Sequence, residues 1–181
     1  MAHPITVAIA AISATALIAS ACTALGRADP VAPNAEIVRV VDGDTLDVRS
    51  DTNGRLRIRV LGIDTPEVVK PNAPVECGGP EASDYAKTLF PQGQRVQLVT
   101  DNSQDAHDRF GRTLAFVLLP SGLNYSIEAA RSGHARAYTY GHRPSRWASE
   151  IAAAEHQAQA ERAGVWGQPC NGSRQAPAPG A

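Results

Sequence analysis

The chain has 181 residues, a formal net charge of −1, 43% hydrophobic and 19% charged residues, values near globular averages that exclude a disordered class. An apolar N-terminal segment and a Pro/Gly/Ala-rich end leave room for about one folded domain and exclude a second. The lack of a basic excess excludes nucleic-acid binding by bulk positive charge, so any phosphate recognition must rest on a few placed cations or a metal. Lys70 and Lys87 are the only lysines among the 17 basic residues. This arginine bias suits bidentate phosphate contacts and is equally explained by coding composition.

From Ile5 to Ala21 the chain is apolar and uncharged, slightly short for a membrane span, and reads as a secretory apolar region. Ala19-Ser20-Ala21 supplies a small-x-small cleavage pattern, and the stretch up to Cys22 also resembles a lipoprotein signal that would leave a lipidated Cys22 as a membrane anchor. The organisation expected is a signal over 1–26, a Pro-broken linker over 27–34, a folded domain over 35–170 and a flexible tail over 171–181. Within the domain, residues 35–41, 44–50, 55–63, 94–99, 112–119 and 135–140 read as strands rich in Val, Ile, Leu, Tyr and Phe. Asp42-Gly43 and Thr52-Asn53-Gly54 separate the first three, which predicts a hairpin meander.

Three helices interleave with the later strands. Pro80 opens the first, and Ala82, Tyr85, Ala86, Leu89 and Phe90 recur at the spacing of one buried stripe. Asn124 caps the second, which stops at Gly133. Ser145 caps the third, whose Trp147, Ile151, Ala154 and Ala158 share a face before Gly164 ends it. The order of elements predicts an α+β domain whose strand count fits a five-stranded OB-type barrel, without fixing its closure.

Asp42-Gly43-Asp44 reads as a type I′ hairpin turn or as a pair of placed carboxylates. In Asp64-Thr65-Pro66-Glu67 an apolar run ends directly in a carboxylate, a hydroxyl, a strand-stopping Pro and a second carboxylate, either a cap or a site. Asp44 and Asp64 at strand ends offer hard oxygen ligands with no His or Cys cluster beside them, which favours calcium or magnesium over transition metals. Arg59 and Arg112 enter otherwise apolar strands and need an anionic partner or an exit to water. Tyr138 and Tyr140, two apart on a strand, would face one side, flanking a base or sugar or taking a core or rim role. His107, His134, His142 and His156 show no pairing and read as surface or structural. With Cys22 removed or lipidated, Cys77 and Cys170 remain as an even pair, the setting for a disulfide; two buried free thiols are the alternative.

The stretches VVDGDTLDV, RIRVLGIDTPE, CGGPEAS, DRFGRTLAFV and ARAYTY occur in the order and near the spacing of the staphylococcal nuclease family, which the chain resembles from about Ala35 to Trp166. The resemblance implies a five-stranded OB-fold β-barrel with three α-helices, and calcium-dependent hydrolysis of DNA and RNA to 3′-phosphorylated products by a monomer. It assigns the calcium ligands to Asp44, Asp64 and the carbonyl of Thr65, the general base to Glu67, and phosphate binding to Arg59 and Arg112. Nucleotide contacts fall on Tyr138 and Tyr140. Arg109 and Phe110 stand where the family often has Lys and Tyr beside the terminal nucleotide, and Phe110 lacks the hydroxyl. Cys77 and Cys170 depart from the founding member and suggest an extra bridge between the loop after Glu67 and the C-terminus.

Overall fold

Three strands, β1 (Ala35–Asp42), β2 (Thr45–Ser50) and β3 (Gly54–Val60), form the expected meander, with Val40 opposite Leu46 and Leu46 opposite Ile58. The computed structural model describes residues 32–68 and 74–176; the expected signal, Cys22 and most of the expected linker lie outside them. Alternation along these strands sends Ile37, Leu46, Val48, Ile58 and Val60 inward, each with no exposed surface. Two short strands follow elsewhere: β4 (Ile63–Asp64) and, after the first helix, β5 (Arg95–Val99). β6 (Thr113–Leu118) pairs parallel with β3 and antiparallel with β5, and β5 returns to β1. The barrel therefore closes in the order β1-β2-β3-β6-β5, so the fold is the OB-type α+β domain expected.

Helix α1 (Gly79–Leu89) carries Pro80 in its first turn, where the missing N–H costs nothing, and buries Ala82, Ala86 and the following Phe90. In α2 (Tyr125–Arg131) the Asn124 side chain accepts the Ser126 N–H at 2.9 Å. Tyr125 and Phe90 pack edge to face at 4.7 Å between these helices and the barrel. Burial of such large apolar groups, about 1.5–3 kcal/mol each, holds the helices on the barrel. Helix α3 (Ala148–Glu161) buries Ile151, Ala154 and Ala158 along one face.

The structure differs from expectation in five places. The run 55–63 is broken at Leu61-Gly62, where Gly62 takes φ 81° and a Cβ would collide with Ile151. The chain then enters β4, which pairs with β7 (Arg136–Ala137) in a separate two-stranded sheet. The strand expected over 135–140 is thus only two residues long, and Tyr140–His142 form a 3₁₀ turn. α3 starts later than a Ser145 cap requires: the Ser145 carbonyl accepts the Ala148 N–H, and Trp147 takes the cap position. Its end comes at a left-handed Arg162, ahead of Gly164. Finally, Gly43 does not adopt positive φ, so the Asp42-Gly43 turn is not type I′.

Cys77 and Cys170 are disulfide-bonded, with Cα atoms 5.7 Å apart and a sequence separation of 93. With Val165 and Trp166 they form a second small apolar cluster beside the barrel. Of the expected tail, residues 171–176 are tied to the domain: Gly172 N–H donates to Val165, and Arg136 donates to the Gly172 carbonyl at 2.6 Å. The bridge fixes the start of this stretch, a restraint that composition alone does not reveal. Reducing the bridge is expected to lower stability by at most about 4–5 kcal/mol, the chain-entropy value for a loop this long. Paired denaturant melts with and without reductant measure it.

His134 stacks on Tyr85 at 4.3 Å and 3°, and its ring faces the Ser132 hydroxyl at 3.0 Å. Burial lowers its pKa, a shift that the nearby Glu81 charge only partly opposes. The folded state therefore favours the neutral ring. Its contribution to stability is complete above the unfolded value of about 6.5 and is lost as pH falls through the lowered folded value. Melting temperatures measured across that range should fall toward acid, and His134→Gln should flatten the slope.

Candidate active site

The turn before β2 and the end of β4 bring Asp44 and Asp64 to one point, although they are 20 residues apart. The Arg59 Nη2 lies 3.1 Å from Asp44 Oδ2 and 3.1 Å from Asp64 Oδ1, so one guanidinium bridges both carboxylates. Its Nη1 donates to the carbonyls of Val60 and Ile63, each at 2.8 Å, which fixes the side chain against the turn at Leu61-Gly62. An arginine that would strain an apolar strand is thereby satisfied on both sides.

Asp44 is only 7% exposed and its oxygens are held from the protein side. Thr45 donates its hydroxyl to Oδ1 at 3.0 Å, and the Thr65 N–H donates to Oδ2 at 3.2 Å. Gly43 has to be glycine for a packing reason, because a Cβ there would stand 2.8 Å from the Thr65 side chain. The buried Tyr125 hydroxyl donates to the Gly43 carbonyl at 2.6 Å and locks the turn from below. Asp42 belongs to the same acidic group. Burial, and then the charges of Asp44 and Glu67, push its pKa up to about 6.

Arg112 reaches the same region from the start of β6. Asp108 accepts its Nε at 2.7 Å and its backbone N–H at 2.9 Å, while its Nη1 donates to the Thr45 hydroxyl at 3.2 Å. Thr45 thus links Arg112 to Asp44. Burial would raise the Asp108 carboxyl, but the amides of Arg112 and Phe110 and the Arg112 guanidinium outweigh it and hold the pKa low. Asp108 remains an anion under its arginine.

Glu67 lies on the loop after β4, clamped by main-chain contacts. Its N–H donates to the Glu76 carboxylate at 3.2 Å, and its carbonyl accepts the Glu76 N–H at 2.9 Å. Gly79 lets α1 approach, since a Cβ there would stand 3.0 Å from the Glu67 carbonyl. This gives the Cys77-Gly78-Gly79-Pro80 stretch a local purpose: a close approach, then an immediate helix start.

A cleft of about 550 Å³ opens beside these groups, walled by Arg59, Asp64, Arg109, Arg112, Tyr138 and Tyr140. The two tyrosines share the cleft without sharing a strand, because the 3₁₀ turn replaces the expected pleat; both are about half exposed. Phe110 is 70% exposed, with the Arg109 guanidinium 4.7 Å from its ring. Asp44, Thr65 and Glu67 stand off the cleft wall.

Sequence reasoning did not single out Asp108, Glu76, Tyr125 or Arg174. Asp108 had a usable signal, a carboxylate four residues before Arg112 across a Gly turn. Glu76 and Arg174 had none, because their roles depend on the path of the bridged loop.

The donor set fits a hard divalent cation: two converging carboxylates, a nearby third in Asp42, and no thiolate or imidazole. Among the described residues no group of three or more His, Cys, Asp or Glu is arranged around a single point. The carboxylate pair would therefore need carbonyl, water or substrate oxygens to complete a coordination shell.

The family model described as staphylococcal nuclease homologue matches residues 57–168. A thermonuclease of Staphylococcus hyicus is 40% identical over 132 residues, covering 72% of this chain and 74% of the relative. A thermonuclease of Staphylococcus intermedius is 37% identical over 130 residues, with coverages of 72% and 74%. Endonuclease YncB of Bacillus subtilis (strain 168) is 33% identical over 138 residues, 74% of this chain and 61% of the relative.

Proposed function

The chain belongs to the staphylococcal nuclease family, and from that premise we propose that it is a calcium-dependent phosphodiesterase that hydrolyses DNA and RNA to 3′-phosphorylated products. The observation that carries this reading is Arg59 joining Asp44 to Asp64 beside a cleft that Arg112 and two tyrosines also face. Asp44, Asp64 and the Thr65 carbonyl would hold the ion. When bound, calcium would supply a Lewis acid and a template for a phosphodiester oxygen.

The remaining steps belong to the protein. Glu67 accepts a proton from a water aligned behind the phosphorus. Arg59 and Arg112 grip the equatorial oxygens, and their hydrogen bonds strengthen as charge accumulates in the transition state. Arg112 is held in place by Asp108 before substrate arrives, whereas Arg59 is anchored at Nη1 by two carbonyls and would turn Nη2 from the carboxylates to the phosphate. Tyr138 and Tyr140 offer aromatic faces to a base or sugar, and Arg109 with Phe110 flanks the other end of the cleft. Because the bulk charge is near neutral, affinity rests on these few groups.

We further infer an extracytoplasmic location, as a secreted or envelope-anchored protein. The apolar segment before Cys22 and the Cys77–Cys170 bridge both support it. We take a monomer as the working unit.

Release of acid-soluble nucleotides from DNA tests the metal assignment. Calcium is expected to support cleavage and excess chelator to abolish it. Magnesium, smaller and stricter in geometry, is expected to support it poorly. Full activity with magnesium in calcium-free buffer would contradict the assignment.

A further inference from the structure

Arg174 comes from the C-terminal stretch beyond the domain proper, yet it sits on the candidate metal site. Its Nη2 lies 2.6 Å from Asp64 Oδ2, and its Nη1 lies 2.7 Å from the Glu76 carboxylate. Its carbonyl accepts the Cys77 N–H at 2.9 Å. Three residues connect it to Cys170, which is bonded to Cys77. Gly172 is held in turn by Arg136, whose guanidinium also stacks on Trp166 at 4.3 Å. The position is therefore built from both directions, by the bridge and by main-chain contacts.

This arrangement leaves each oxygen of Asp64 with one guanidinium, Oδ1 with Arg59 and Oδ2 with Arg174. Arg59 already serves both carboxylates and has two carbonyls to anchor it. Arg174 is different, because its side chain is 40% exposed and can swing off the carboxylate without unfolding anything. Asp44 and Asp64 converge on the one Arg59 guanidinium, so two carboxylates share a single cation. A second cation delivered in cis relieves their repulsion before a metal arrives, and it must yield an oxygen when one does.

We propose that Arg174 is a tethered counter-ion that occupies the metal carboxylate Asp64 and competes with the divalent cation for it, presented by the Cys77–Cys170 bridge. The inference rests on the reading of Asp64 as a metal ligand. Its sign is opposite to that of a merely structural residue: losing a structural support loosens the site and weakens metal binding, whereas losing a competitor tightens it.

Calorimetric titration of the full chain with calcium, without nucleic acid, tests this. Arg174→Met is expected to bind calcium about 1.5- to 5-fold more tightly than the parent, the range set by one partly exposed ion pair. Arg174→Lys, which keeps the charge, should remain close to the parent. Reducing the bridge should tighten the parent in the same direction and leave Arg174→Met unchanged. Equal or weaker affinity in Arg174→Met overturns the proposal while leaving the metal site standing. Equal tightening of both proteins on reduction assigns the effect to the bridge and overturns the role of Arg174. Failure of both the parent and Arg174→Met to bind calcium overturns the metal reading itself, and this inference with it.

Discussion

Glu67→Gln is expected to lower the rate of phosphodiester cleavage on the order of 10²- to 10⁴-fold, the usual worth of a general base. The substitution keeps size and hydrogen-bonding capacity and removes only basicity. The main-chain clamp between residues 67 and 76 uses backbone atoms of Glu67, so it survives the change. Folding should accordingly be unaffected, and nucleotide affinity should change little, which places the loss in kcat. Removing the charge also relieves Asp42, one of whose upward pressures is the Glu67 carboxylate. A slight gain in melting temperature is thus compatible with the expected loss of turnover. Single-turnover cleavage together with equilibrium binding of a nonhydrolysed nucleotide separates the two effects. Retained turnover with full folding would move the base elsewhere, and Asp42 would be the next carboxylate to test.

How far the site could be read from sequence depends on whether a contact is local. Asp64, Thr65 and Glu67 follow directly from an apolar run ended by Pro66, and the Asp-Gly-Asp turn before Thr45 marks Asp44. Arg59 lies five residues upstream of Asp64, across the Leu61-Gly62 break. These contacts are encoded within a few residues, so pattern and spacing point to them. The barrel was legible for a similar reason: the meander is written in alternating apolar residues and two turns, and the helices in their caps and stripes. Closure was not legible, because the β3–β6 and β5–β1 pairings join segments far apart in sequence.

The same limit explains the misses. The Tyr138 and Tyr140 backbone was read as a strand from its β-propensity, but β7 ends at Ala137, where its partner β4 is already exhausted after two residues. Without a partner strand, Tyr140 enters a turn in which Gly141 and His142 both take positive φ. Arg174 was invisible in a Pro/Ala/Gly stretch that composition reads as tail. Only the bridge, which joins residues 93 apart, places it beside Asp64. Tertiary context overrides local propensity in both cases.

Arg59→Lys and Arg112→Lys should both slow cleavage, but they should differ in what else they disturb. Lysine keeps the charge and loses the planar fork, so equatorial phosphate oxygens lose one of two aligned hydrogen bonds. Arg112 is anchored by Asp108 through Nε and touches Thr45 through Nη1; a lysine can still pair with Asp108 but not do both. Its turnover is expected to fall by about 10²-fold, the scale of one lost transition-state donor, with melting temperature nearly unchanged. Arg59 carries more. Its Nη1 satisfies the Val60 and Ile63 carbonyls while Nη2 joins Asp44 to Asp64, and no single ammonium reaches all four. Arg59→Lys should therefore lose turnover on the same scale and also about 1–3 kcal/mol of stability, the cost of buried polar groups left without a partner. Calcium affinity should shift as well, since the two carboxylates are no longer drawn to one point. A purely structural role predicts the reverse pattern: lower melting temperatures with activity per folded molecule intact. If both folded variants cut DNA within about threefold of the parent, roughly 0.7 kcal/mol of barrier, the guanidinium forks do not stabilise the transition state and the mechanism must be redrawn.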